Sequence, residues 1–333
     1  MNSMSGTFWP RIFALVVLAG AVLGLGWPAQ AAPLTAGAPI PLPGTHGKFD
    51  FIRIDTAANR LLLNHEANGT LDVFDLNSLK LLKSVPTGTA QDVAVDMQHG
   101  NYYVSANDPG RLVIVDAKSL DVTGAVPLPA GTDLIGYDPV TGRVHLCNDA
   151  APEEWVIDPQ AKKIVATIQF AGHGLEDLAF DPQFRHLYQA EKGTGTIAVV
   201  DPSADKVLKV WSLAPDKGPH GIAVVPDGDG LLAACNGQLV LIDRATGKVL
   251  DRVATALKVD EIAYDPGLHT AYCPSKEGEI AVVKVSAAKL TALGSVPDER
   301  GARSIAVDPS THTVWIAYDR GDVCFVQPFI PSK

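Results

Sequence analysis

Short apolar segments recur along this 333-residue chain, and each ends in a phrase that joins an apolar residue to an aspartate. Successive copies begin 41, 42, 43, 44, 40 and 43 residues apart. In chain order the copies are Ile54-Asp55, Val95-Asp96, Tyr137-Asp138, Phe180-Asp181, Val224-Val225-Pro226-Asp227, Tyr264-Asp265 and Val307-Asp308. A second phrase, first seen as Val73-Phe74-Asp75, runs in step with it. Because the two phrases share one period, we predict seven copies of one structural unit.

Each unit divides into four short strands. In the first unit the apolar runs fall at residues 51–54, 61–64, 71–74 and 81–85, with turn residues between them. Aspartate suits these turns because its carboxylate accepts hydrogen bonds from backbone amides two residues further on. Four-stranded units of about 43 residues are typical of propeller blades. The predicted fold class is therefore all-β, a seven-bladed β-propeller of four-stranded antiparallel blades.

The last unit ends after its third strand, so its fourth strand has to come from elsewhere. The segment Ala38-Pro-Ile-Pro-Leu-Pro-Gly44 is similar to the ends of two fourth strands, Val85-Pro-Thr-Gly88 and Val126-Pro-Leu-Pro-Ala-Gly131. We predict that residues 36–47, approximately, complete the seventh blade and close the ring. This pairing would also cover an edge that is otherwise open.

The first residues have the pattern of an export signal. Arg11 precedes an apolar run at residues 12–25, and Ala29-Gln30-Ala31 matches a cleavage site of small residues. We predict a signal peptide at residues 1–31, a propeller at residues 32–333 and a periplasmic or secreted location. A retained anchor is the alternative, but the run is shorter than the roughly 20 residues that span a bilayer. The later sequence contains no second run of that length, so no membrane span is expected after cleavage, and we expect a monomer.

Charge and cysteine content narrow the classes of partner. The formal net charge is −10, whereas a general nucleic-acid binder is usually basic. An acidic surface attracts cations and basic partners instead. The four cysteines form no C-x-x-C motif. An exported protein permits disulfides, yet the spacing selects no pair, and buried thiols are the simpler expectation.

Three segments carry a resemblance to a known family. They are Tyr103-Val104-Ser105-Ala106-Asn107, Gly195-Thr-Ile-Ala-Val-Val-Asp201 and Pro219-His-Gly-Ile-Ala-Val-Val-Pro-Asp-Gly228. With these segments the chain resembles the YVTN β-propellers, also called YncE-like. The resemblance implies a seven-bladed propeller that bacteria export, with a binding role and often no established chemistry.

The repeat also predicts where a site would form. The residue four positions before each strand anchor should lie at the mouth of the central channel, and all seven are polar: Asp50, Gln91, Asp133, Glu176, His220, Asp260 and Arg303. The next position adds Asp92, Asp177 and Glu261. One residue before the anchor, Arg53 is the exception in a ring that is otherwise alanine or glycine. Solvated strand ends would account for these residues, but so many acids close together repel unless a cation or basic group lies among them.

Three histidines make a divalent metal the candidate cofactor. His46 and His173 lie on comparable links, each four residues before an acid, and His220 lies on a third link. With Glu176 they would offer the mixed nitrogen and oxygen ligands that suit zinc, copper, nickel or iron. Surface or core histidines are the alternative interpretation.

Two classes of function follow from these residues. The first is a binding module whose channel-mouth face takes a protein, peptide or small ligand, since the sequence lacks the Gly-x-Ser-x-Gly, His-Glu-x-x-His and P-loop motifs. The second is a metal-assisted hydrolase or lyase of the lactonase or streptogramin-lyase kind, with His173 or His220 and Glu176 as ligand or base. A quinone or redox protein has support only from Trp155, Trp211 and Trp315.

The signal-peptide prediction has a direct test. When the full-length gene is expressed in a Gram-negative host, we expect the periplasmic fraction to contain a protein that begins at Ala32, because small residues at 29 and 31 direct cleavage there. Intact-mass measurement of that fraction checks the start site. A full-length product found only with the membranes would instead indicate the retained anchor.

Overall fold

The computed structural model describes residues 32–42, 47–226, 228 and 230–332. These residues form seven antiparallel sheets. The predicted signal peptide, residues 1–31, lies outside the described residues, as do His46 and Asp227.

The strands follow one another in blade order. The chain opens with β1 (Leu34–Ala36) and β2 (Ile40–Leu42). Blade 1 contains β3 (Ile52–Asp55), β4 (Arg60–His65), β5 (Thr70–Asp75) and β6 (Leu81–Pro86), with a 3-10 helix at Glu66–Asn68. Blade 2 contains β7 (Ala90–Asp96), β8 (Asn101–Ala106), β9 (Arg111–Asp116) and β10 (Val122–Pro127). Blade 3 contains β11 (Thr132–Asp138), β12 (Arg143–Asn148), β13 (Glu153–Asp158) and β14 (Lys163–Gln169).

The remaining blades repeat this order. Blade 4 contains β15 (Leu175–Asp181), β16 (His186–Glu191), β17 (Thr196–Asp201) and β18 (Lys206–Ser212). Blade 5 contains β19 (Ile222–Val225), β20 (Gly230–Cys235), β21 (Gln238–Asp243) and β22 (Val249–Ala254). Blade 6 contains β23 (Ala263–Asp265), β24 (Thr270–Ser275), β25 (Glu279–Ser286) and β26 (Lys289–Pro297). Blade 7 contains β27 (Ser304–Val307), β28 (Val314–Arg320) and β29 (Val323–Pro331).

The first strand of every blade faces the central axis. Each of these strands contacts the first strands of both neighbouring blades, and the cycle closes where β27 meets β3. Within blades 1 to 6 the four strands are hydrogen-bonded in chain order, so the fourth strand lies on the outside. The predicted seven-bladed propeller is thus confirmed.

The aspartates of the repeat hold the turns that join successive strands. The Oδ1 atom of Asp55 accepts hydrogen bonds from the amides of Ala57 and Ala58, at 3.0 and 2.9 Å. Asp181 makes the same pair of bonds with Gln183 and Phe184, at 3.0 and 3.1 Å. The repeated aspartate therefore marks the end of a strand because it caps the turn that follows.

Apolar side chains fill every seam between neighbouring blades. Seven buried clusters follow one another around the ring, each made from two adjacent sheets. The seam that closes the ring joins Ile52 and Leu61 of blade 1 to Trp315 and Val326 of blade 7. Because each sheet is apolar on both faces, a closed ring leaves no apolar face exposed to water.

The N-terminal segment completes blade 7, as predicted, but with different boundaries. Both β1 and β2 pair with β29, whereas we predicted one strand from about residue 36 to 47. Pairing begins at Leu34, and residues 37–39 interrupt it. A hydrogen bond of 2.8 Å from the amide of Gly37 to the carbonyl of Pro328 spans the interruption. Residues 43–46 lie outside the described part of the chain.

The axis is as crowded as its small residues predict. A β-carbon on Gly136 would approach Leu178 Cδ1 to 2.3 Å and Phe180 Cε2 to 2.6 Å. All four cysteines are buried and free, so no disulfide contributes to this fold. Across the described ranges, no helix combines the length and the apolar character that crossing a membrane requires.

Closure of the ring predicts the effect of truncating Leu34. This side chain is 2% exposed and packs in the seam between blades 6 and 7. We expect Leu34→Ala to lower the free energy of unfolding by about 2–4 kcal/mol, because it leaves a cavity in a packed core. Ile330→Ala is the matched control, since Ile330 lies in β29, the strand that pairs with β1, but is 47% exposed. Thermal denaturation that shows equal losses for the two variants would contradict closure by β1.

Candidate functional site at the channel mouth

A polar cavity of about 440 Å³ opens where the first strands converge. All seven residues predicted from the repeat line it: Asp50, Gln91, Asp133, Glu176, His220, Asp260 and Arg303. Asp177 also lines it, as do loop residues between the second and third strands of several blades. Each blade thus contributes at least one polar side chain to a common opening, which we call the channel mouth.

Backbone hydrogen bonds fix the direction of these side chains. The amide of Asp50 donates to the carbonyl of Asn64 at 3.0 Å, and the amide of His220 donates to the carbonyl of Ala234 at 2.9 Å. Gln91, Asp133 and Glu176 lie within the first strands of their blades. Because side chains alternate along a strand, equal distances from the anchor place these residues on the same side of the sheets.

Built-in cations neutralise one side of the channel mouth. Arg303 lies between Asp50 and Asp260, at 3.2 and 3.4 Å. Lys276 also pairs with Asp260, and Lys48 pairs with Asp50 at 3.5 Å and with Glu66. Burial raises the pKa of Asp50 to about 6, although Arg303 and Lys48 oppose the shift.

Glu176 links a histidine to a lysine. Its Oε2 atom lies 3.0 Å from Nδ1 of His220, and its Oε1 atom lies 3.1 Å from Nζ of Lys192. Both oxygens of this carboxylate are therefore engaged. The contact holds the His220 ring in one orientation, as a carboxylate does for many functional imidazoles.

Blade 3 supplies two acids that lack such a cation. Asp149 accepts a hydrogen bond from Nδ2 of Asn107 at 3.1 Å, and within the described ranges neither Asp149 nor Asp133 forms a salt bridge. Burial raises the pKa of Asp133 well above its usual range. The charged groups that add most to this shift are all acids, Asp50 and Glu176 foremost.

Below the mouth, one arginine faces three buried acids. Nη2 of Arg53 lies 2.9 Å from Oδ2 of Asp92. Burial disfavours the charged guanidinium, but Asp92, Asp177 and Glu261 outweigh it and raise the pKa of Arg53. Burial also raises the pKa of Asp92 to about 6 and that of Glu261 well above its usual range, with Arg53 opposing both shifts.

Two of these acids join neighbouring blades through the backbone. Asp177 Oδ2 accepts from the amide of Ile222 at 3.0 Å, and Glu261 Oε2 accepts from the amide of Ile305 at 3.2 Å. Each bond runs from one blade to the first strand of the next. The predicted residues Asp92, Asp177 and Glu261 therefore form a layer beneath the opening, with Arg53 as their counter-ion.

The four candidate metal ligands are only partly brought together. His220 and Glu176 are in contact. His173 is exposed, its ring packs against Gly193, and it does not line the cavity. His46 lies outside the described residues. Among the residues that are described, no group of three or more His, Cys, Asp or Glu side chains is arranged to hold a metal ion.

The sequence pattern did not predict most of the lysine and arginine side chains that pair with the acids of the channel mouth and of the layer beneath it. Arg53 was visible as the one large residue in a ring of alanine and glycine, but the pattern did not show that it faces Asp92, Asp177 and Glu261. Lys48 and Glu66 carried no signal in the repeat. Lys192 and Lys276 lie on loops outside the repeated phrases, so the repeat did not indicate which acids they pair with.

Fold and site together define a class: a seven-bladed β-propeller with a polar, acid-rich channel mouth. Two curated proteins named YncE, from Salmonella typhi and from Salmonella typhimurium strain LT2, are each 23% identical to the chain over 215 residues. Each match covers 59% of this chain and 60% of the relative's length. No family model matches the chain. These relatives, together with the seven-bladed fold, support a YncE-like propeller, which confirms the family resemblance.

Two solved structures with a similar fold belong to other proteins or assemblies. Hydrazine synthase of Kuenenia stuttgartiensis matches with a TM-score of 0.73 and 15% identity, covering 87% of this chain and 99% of that one. A chain of the mitotic checkpoint complex matches with a TM-score of 0.77 and 12% identity, covering 96% and 98%. At these identities the likeness shows the fold alone.

The axial layer predicts a pH-dependent role for Arg53. Arg53→Leu should lower the free energy of unfolding by about 2–3 kcal/mol at pH 8, less than for a fully buried pair because the arginine is partly exposed. The acids that Arg53 faces have raised pKa values, so their charged forms are disfavoured in the folded state once the pH exceeds those values. Their contribution to stability therefore falls as the pH rises, and the folded protein then depends more on Arg53 as their counter-ion. At pH 5 more of these acids are protonated, so the loss caused by Arg53→Leu should be smaller there than at pH 8.

Thermal denaturation at pH 5 and pH 8 measures this difference. Arg53→Lys keeps the positive charge and should recover part of the loss. Arg300→Leu is the matched control, since Arg300 is exposed. A larger loss for Arg53→Leu at pH 5 than at pH 8 would show that the axial arginine does not act as a counter-ion.

Proposed function

We propose that the chain is a binding module of the periplasm and that the channel mouth holds its ligand. The observation that carries this proposal is the convergence of seven polar side chains, one from each blade, on one cavity. Its volume, about 440 Å³, lies within the range of small-molecule sites. The lining is mostly charged and amide side chains, so the ligand should be small and polar and should bind through hydrogen bonds and ion pairs.

The rigidity of the ring supports this role. Polar groups that bind a ligand are most effective when the surrounding structure already holds them in place. The mouth residues lie in, or within three positions of, the first strands of the blades, and those strands are packed on both sides. Binding at such a site needs little rearrangement of the backbone.

A metal-assisted hydrolase or lyase is the second candidate, and one contact favours it. The carboxylate of Glu176 orients the ring of His220, as an acid does for a general base. However, Glu176 also pairs with Lys192, so it would have to exchange that lysine for a metal ion. The binding role requires no such exchange, and we prefer it.

The binding role can be tested by changing the charge inside the mouth. Gln91→Arg would add a guanidinium to the cavity lining and should change the affinity of any charged or polar ligand that occupies the mouth. Gln98→Arg makes the same change in an exposed turn between β7 and β8, outside the cavity lining. We expect ligands found by a thermal-shift screen of small polar metabolites to change affinity in the first variant only, as measured by titration calorimetry.

The outcomes separate the two candidate functions. A screen without ligands, or ligands whose affinity is unchanged in Gln91→Arg, would refute a binding module at the mouth. Conversion of a bound ligand to product, lost in both Glu176→Gln and His220→Ala, would favour the enzyme.

A further inference from the structure

The chain supplies a cation to the channel-mouth acids of blades 1, 4 and 6 but not to those of blade 3. Asp50, Glu66, Glu176 and Asp260 each form a salt bridge with a lysine or arginine of the chain. Asp177 faces the guanidinium of Arg53. These lysine and arginine side chains offset the repulsion among the acids that converge on a single opening.

The two acids of blade 3, Asp133 and Asp149, have no such cation within the described ranges. Asp133 is partly buried and lines the cavity, and within the described ranges its carboxylate has neither a hydrogen bond nor a salt bridge. The charged groups that act most strongly on it are Asp50, Glu176, Asp149 and Asp92, all acids. A carboxylate in such surroundings is destabilised unless something outside the chain neutralises it.

The side-chain amides of Asn107 and Gln91, which also line the cavity, use N–H groups to bond to other parts of the chain. Asn107 uses Nδ2 to donate to Thr132 O at 3.3 Å and to Asp149 Oδ2 at 3.1 Å. Gln91 donates from Nε2 to Thr89 O at 3.4 Å. Because both N–H donors of Asn107 are already used, its amide oxygen is the group left for a ligand, and an oxygen acceptor matches an ammonium group with its three N–H donors.

We propose that the channel mouth binds an organic ammonium ligand, such as a diamine or polyamine, with its charged group between Asp133 and Asp149 of blade 3. This proposal rests on the proposed binding function and names its ligand class. An anion fits less well, because the cavity cations Lys48, Lys192, Lys276 and Arg303 are each already paired with an acid.

A bare metal ion also fits less well than an ammonium ligand. The cavity is much larger than a single ion, and among the described residues no group of three metal-binding side chains is formed. A ligand with a carbon chain can place its charged group at blade 3 and still fill the remaining space. Electrostatic attraction by the acidic chain would also favour the approach of a cation.

Three ligands of equal length test the proposal. Cadaverine, 1,5-pentanediol and glutarate share a five-carbon chain and differ in their terminal groups, which are positive, neutral and negative. Titration calorimetry on the purified protein should show binding of cadaverine, with the other two at least tenfold weaker. Asp133→Asn should weaken cadaverine at least tenfold, because it removes the charge and keeps the shape.

A control variant and a stability measurement exclude a general effect. Asp319→Asn makes the same change on an exposed acid of blade 7 outside the cavity lining and should leave cadaverine affinity unchanged within twofold. Without ligand, Asp133→Asn should melt at the same temperature as the wild type or higher, since it removes an uncompensated acid. A structural role for Asp133 would lower the melting temperature instead.

Each other outcome overturns the ammonium proposal in a recognisable way. Equal affinity for cadaverine and pentanediol, or cadaverine affinity that survives Asp133→Asn, shows that charge recognition at blade 3 is wrong. Stoichiometric Ca²⁺ binding that Asp133→Asn abolishes, without cadaverine binding, assigns the site to a metal. If glutarate binds and its affinity changes in Gln91→Arg but not in Gln98→Arg, the binding module stands and only the ligand class is wrong.

Discussion

Closure of the ring is the constraint on which the rest of this structure depends. Each blade is apolar on both faces, so it is stable only between two neighbours, and seven blades meet this condition by forming a cycle. The segments β1 and β2 complete the last sheet, and the apolar seam between blades 7 and 1 closes the cycle. A closed cycle forces seven first strands towards one axis, where their polar ends have to meet.

That convergence concentrates negative charge, and the chain neutralises it in two ways. Arg53 neutralises the buried layer of Asp92, Asp177 and Glu261, which in turn binds amides of neighbouring blades. Lysines from the loops and Arg303 neutralise most acids of the opening. Blade 3 receives neither, so its acids remain available to a ligand. Stability and binding thus arise from one distribution of charge around the axis.

The sequence predicts the fold and the ring of mouth residues for one physical reason. A strand has a fixed side-chain period, so a residue four positions before a recurring anchor has the same direction in every blade. The same rule explains why His220 lies in the mouth and His173 does not, since only His220 stands at that position. Lys48, Lys192 and Lys276 reach the acids from loops, whose conformation the period does not determine. Arg53 stood out in the pattern, but its partners come from three other blades.

The channel mouth holds a carboxylate, that of Asp133, which no cation of the described chain neutralises. Carbon-13 NMR of side-chain carboxyl groups, with Asp133 assigned from the spectrum of Asp133→Asn, measures it directly. We expect Asp133 to titrate well above the usual range of an aspartate and added cadaverine to shift its titration to lower pH. An Asp133 that titrates near pH 4, or that does not respond to the diamine, would show that blade 3 offers no such carboxylate to a ligand.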